Sequence, residues 1–186
     1  MELKLFMLML GCVPPGRHIE QHDIFFAIGE SLNHIVPEIK AFWPEPERIH
    51  IDAWREISTV EGYKINIVVK EAPITLAATK KLFFINLGGY QPNKFEEQHY
   101  VVLTVKDNKA QATAEAKNTL FYQQNHFEGA TSHIDDKYGI DVDELYEIDD
   151  ILPASQKVKY RIEVATGDAL AEDELHLGYL KLSSLE

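Results

Sequence analysis

The chain of 186 residues suffices for one medium domain or two small ones, and its 45% hydrophobic and 26% charged residues argue against disorder. With 30 Asp and Glu against 18 Lys and Arg, the formal net charge is -12, so the surface repels phosphate backbones and non-specific nucleic-acid binding is excluded. One cysteine, Cys12, excludes a disulfide within the chain and any cysteine-based zinc site.

Leu3 to Leu10 is a nearly unbroken apolar run closed by Gly11, Pro14 and Pro15, which predicts a strand buried on both faces. Leu10-Gly11-Cys12 hints at a lipoprotein cleavage site. The apolar stretch is too short for a signal peptide, however, lacks a strongly basic leader, and recurs inside the chain. No run approaches the roughly 20 apolar residues that span a bilayer. A cytoplasmic, membrane-free protein is expected, which also suits a lone thiol. Asp23 to Ile28 predicts a second strand, and a helix spans about Ser31 to Trp43 with Pro37 in its first turn. Strands return at Arg48 to Ile57 and Tyr63 to Val69.

From Lys81 the pattern begins again. Lys4-Leu5-Phe6-Met7-Leu8-Met9-Leu10-Gly11 aligns with Lys81-Leu82-Phe83-Phe84-Ile85-Asn86-Leu87-Gly88, and Glu20-Gln21-His22 follows at the same spacing as Glu97-Gln98-His99. His50-Ile51-Asp52 matches His133-Ile134-Asp135, and Tyr63-Lys64-Ile65-Asn66-Ile67 matches Tyr160-Arg161-Ile162-Glu163-Val164. Strands at Lys81 to Leu87 and Tyr100 to Val105 are therefore expected, then a helix from Asp107-Asn108 through Ala116 toward Tyr122. An inserted helix near Asp141 to Asp150 is expected, with Asp141 and Glu144 as its capping box, and a terminal strand at Leu175 to Leu182. The expected fold is α+β: two tandem strand-strand-helix-strand-strand copies, residues 1–76 and 77–186, mainly antiparallel and packed about a pseudo-twofold axis.

The block Leu87-Gly88-Gly89-Tyr90 with Glu97-Gln98-His99, and the run from His133 through Asp143, resemble a bacterial family of domains of unknown function, number 1543, found as one or two copies per protein. The resemblance implies a bacterial source and a duplicated domain; it implies no activity. Cys12 stands where the second copy has Gly89, a departure from the family's double glycine.

The repeated polar set carries the chemistry. Glu20 and His22, two apart, share one face of a strand, as do His50 and Asp52. Glu97, His99, His133 and Asp135 repeat them in the second copy. Imidazoles beside carboxylates suit Zn²⁺, Mn²⁺ or Fe²⁺, or general acid–base work. The competing reading is structural: a carboxylate that accepts a histidine N–H satisfies a buried polar group, and both halves need the same folding contacts. His18 extends the first set to His18-Ile19-Glu20-Gln21-His22, but Phe95 replaces it in the second copy. Gly11 to Arg17 mimics a phosphate loop; Pro14 and Pro15 remove the N–H groups such a loop needs. The acidic stretch from Glu128 to Asp150 fails the EF-hand spacing and reads as a solvated face or a docking surface for a basic partner.

Two functions follow. The first is a cytoplasmic, non-enzymatic binding or assembly module for a small molecule or protein, self-associating through sheet edges. The second is a metal-dependent hydrolase or other small-molecule enzyme. There His22, His50 and Asp52 hold a divalent metal and Glu20 acts as general base, with His99, His133, Asp135 and Glu97 as counterparts.

Overall fold

The computed structural model describes residues 2–43, 48–72, 80–90, 93–118, 140–167, 171 and 173–186. It is an α+β fold whose strand pairings are all antiparallel among the described residues. Two compact units emerge, Met1–Ala77 with Ile151–Glu186, and Ala78–Asp150. No helix among the described residues is long and apolar enough to cross a membrane.

The first unit is built on β1 (Lys4–Cys12), flanked by β2 (Gln21–Gly29) and β3 (His50–Ile57), with β10 (His176–Lys181) on the far side of β3. One face of β1 carries Phe6, Leu8 and Leu10. They pack with Phe25, Ala27 and Ile51 under the 3₁₀ turn Leu32–Ile35 and helix α1 (Val36–Phe42), which contribute Ile35 and Ile39. Leu5 and Met7 on the other face are buried as well, so the run reads as continuously apolar rather than alternating. Pro37 sits in the first turn of α1, where its missing N–H costs nothing.

A smaller sheet joins β4 (Thr59–Val60), β5 (Tyr63–Val69) and β9 (Tyr160–Thr166). Glu61 and Gly62 close the β4–β5 hairpin with φ of 51° and 77°, the positive pair a two-residue turn needs to match strand twist. The C-terminal strands β9 and β10, assigned by sequence to residues 77–186, thus pair within the first unit, with β5 and β3.

The outer edge of β2 is closed by a side chain. Gln156 Nε2 donates to Ile28 O and its Oε1 accepts from Ile28 N, both at 2.7 Å, so a buried amide stands in for the peptide of another strand. Gln156→Ala is expected to cost about 1–3 kcal/mol, because two buried backbone groups lose their partner. Urea unfolding measures it, and an unchanged midpoint would show that water replaces the amide without cost.

The second unit has β6 (Lys81–Tyr90) between β7 (Glu97–Lys106) and β8 (Ile140–Glu147), with α2 (Lys109–Ala116) packing Ala112 and Ala116 on Phe83, Ile85 and Leu87. Asn108 caps α2 by accepting from Gln111 N at 3.0 Å. The helix expected over Asp141 to Asp150 is a correction: Ile140–Glu147 is a strand, and only Ile148–Ile151 turns helically. Pairing with β6 overrides the capping-box signal, and Leu145 of β8 packs on the Phe83 cluster. The strand expected around His133 to Asp135 lies outside the described residues.

Candidate metal centre

Gly11, near the end of β1, organises the site. It stands opposite His22 on β2 and opposite His50 on β3. On β3 the register steps from Met9↔Ala53 to Leu10↔Ile51, so Asp52 is the extra residue of a β-bulge, facing no partner on β1. A Cβ on Gly11 would lie 2.4 Å from Asp52 Oδ2 and 2.5 Å from His50 Nε2. The missing side chain is the space these two groups occupy.

Glu20, just ahead of β2, completes the set. Its Oε2 lies 3.4 Å from His22 Nε2, and Asp52 Oδ2 lies 3.3 Å from the same nitrogen. The remaining carboxylate oxygens turn to the other imidazole: Glu20 Oε1 is 2.9 Å and Asp52 Oδ1 3.3 Å from His50 Nε2. Each carboxylate therefore bridges the two histidines. Ligand atoms of Glu20, His22 and Asp52 lie within 4.8 Å of one another, the spread one cation can gather. His50 is buried at the back, with Nδ1 3.4 Å from Arg48 O, whereas the side chains of His22 and Glu20 are 45% and 36% exposed.

Asp52 Oδ2 is buried and accepts no hydrogen bond. Its contact is the 3.3 Å ion pair with His22 Nε2, short of the aligned hydrogen bond that a buried carboxylate oxygen usually accepts. Two carboxylates facing two imidazole nitrogens also need positive charge to balance them, supplied by protons or by a divalent ion.

His18 lies outside this cluster, and the loop after Cys12 is a turn in which Arg17 N donates to Pro14 O at 3.1 Å. In the second unit, His99 Nε2 and Glu97 Oε2 are 3.8 Å apart at the start of β7. His133 and Asp135 fall outside the described residues. The register points to different residues there. Gly88 stands opposite His99 and Asp141, and the step from Asn86↔Glu144 to Leu87↔Val142 makes Asp143 the extra residue. Asp141 and Asp143 thus hold the strand positions that His50 and Asp52 hold in the first unit. The alternation Ile140-Asp141-Val142-Asp143, set beside Ile49-His50-Ile51-Asp52, is the sequence signal for this.

A family model described as Domain of Unknown Function (DUF1543) matches residues 17–67, a span holding Glu20, His22, His50 and Asp52. The crystal structure of a protein Il1583 from Idiomarina loihiensis is similar over 97% of this chain and 98% of that one, with a TM-score of 0.58 and 22% identity. That likeness is one of fold. No curated protein matches the chain.

Proposed function

We propose that this is a metal-binding domain protein whose first unit holds one divalent transition ion and presents it to a small-molecule ligand. Glu20 Oε2, His22 Nε2 and Asp52 Oδ2 are the ligand atoms, and His50 holds the other two carboxylate oxygens in place. The observation that carries this reading is the buried Oδ2 of Asp52, which accepts no hydrogen bond, in a set whose Glu20, His22 and Asp52 ligand atoms lie within 4.8 Å of one another. One imidazole and two carboxylates suit Zn²⁺, Mn²⁺ or Fe²⁺. The exposed flank of His22 and Glu20 leaves positions for water or a ligand oxygen, as a reactive rather than a purely structural site requires.

The segments β1–β2–α1–β3 and β6–β7–α2–β8 read as tandem copies of one domain, supported by the shared strand pattern and the shared bulge; the family resemblance adds a bacterial source, and the lone thiol a cytoplasmic setting. The test is metal content. Protein purified without chelator, or titrated with Mn²⁺ or Zn²⁺ after EDTA, is expected to bind an ion at the first-unit site and to lose that binding in His22→Ala. A protein that takes up no ion, and whose thermal stability is the same with every divalent metal tried, would overturn the proposal.

A further inference from the structure

Apolar residues share the sheet face of the metal centre. Met9 shares a face of β1 with Gly11, and Met9, Ala53 and Leu177 stand in one cross-strand row of β1, β3 and β10. Met9 is 36% and Leu177 75% exposed, so the row presents apolar surface near the polar cluster. Tyr179 joins this row to the site. The register of β10 jumps from Leu177↔Ala53 to Leu180↔Ile51, with Gly178 at φ 123°. That bulge lays the Tyr179 ring on His50, centroids 4.5 Å apart, while Tyr179 remains 63% exposed.

We infer that the first-unit site takes a small organic oxyanion with an aromatic or apolar body, and that Tyr179 is the residue that selects it. The inference rests on the metal reading above. The anionic head fills the ion's open position, where a Lewis-acidic cation takes an oxygen donor. The body lies on Tyr179 and along Met9 and Leu177, where an aromatic ring gains stacking as well as burial. A second copy of the chain is a poorer occupant. Strand β10 is a short edge strand interrupted by its own bulge, the form in which edges are protected from pairing.

Calorimetry on the full chain loaded with Zn²⁺ or Mn²⁺ tests this with two matched pairs, acetate against phenylacetate and methylphosphonate against phenylphosphonate. The phenyl compound of at least one pair is expected to bind about fivefold to tenfold tighter than its methyl partner. That preference, measured on metal-saturated protein, is lost in Tyr179→Ala and kept in Tyr179→Phe. Metal uptake with equal affinity within both pairs, or a preference that survives Tyr179→Ala, would overturn the inference and leave the metal site standing. A dimer that covers this row, seen by sedimentation and abolished by Tyr179→Ala, would also overturn it. Failure to take up metal would remove both.

Discussion

Asp52→Asn is expected to weaken Mn²⁺ or Zn²⁺ uptake by about 100-fold or more while leaving the metal-free protein nearly as stable as the parent. The amide keeps the shape of the carboxylate and removes its charge. In the metal-free chain Oδ2 accepts no hydrogen bond, so none is lost there. The contacts that do weaken are two ion pairs at 3.3 Å: one to the half-exposed His22, worth about 0–1 kcal/mol, and one to the buried His50, whose Nε2 keeps Glu20 Oε1 at 2.9 Å. With an ion at roughly 100 times its dissociation constant, the parent gains about 2.7 kcal/mol of stability and the variant almost none. Paired thermal melts in EDTA and in excess metal therefore separate the two roles. A structural cluster would show its loss in EDTA, and a loss of several kcal/mol there, with no metal-induced shift in the parent, would sink the metal reading.

Much of the frame was legible. The runs Leu5–Leu10 and Leu82–Leu87 are apolar at every position but one, Asn86, because both faces of β1 and β6 are largely buried, and no amphipathic helix would need that. The i, i+2 spacing of Glu20 with His22 and of His50 with Asp52 told which side chains share a face. Their meeting was less legible, since it depends on β2 and β3 lying on opposite sides of β1, a choice made by long-range pairing. In the second half, letter identity pointed to His133-Ile134-Asp135, whereas the strand register selects Asp141 and Asp143. Register is set by pleat, bulge and neighbour, and residues of different chemistry can hold the same position in it. Tyr179 gave no signal of its own, because a bulge brings it onto His50 from the last strand of the unit.

Gly11→Ala is the second variant with a large expected effect: loss of metal uptake at a stability cost of about 1–3 kcal/mol. The new methyl would overlap Asp52 Oδ2 at 2.4 Å and His50 Nε2 at 2.5 Å. Both are side-chain ends, so the backbone survives and the site yields. His50 has little room to move, being buried, with Tyr179 against its ring. Asp52 must therefore rotate away, which separates Oδ2 from Glu20 and His22. The φ of Gly11 is not in the left-handed region, so conformational strain adds nothing. Gly62→Ala is the matching control. At φ 77° with nothing within 4 Å of the added carbon, it costs about 1–2 kcal/mol through backbone strain alone. Its metal binding should equal the parent's, since the hairpin tip touches no ligand. Equal metal affinity in Gly11→Ala and Gly62→Ala would mean that the space beside Gly11 is not what shapes the site. Loss confined to Gly11→Ala would tie the ion to the one point on β1 where a side chain cannot be.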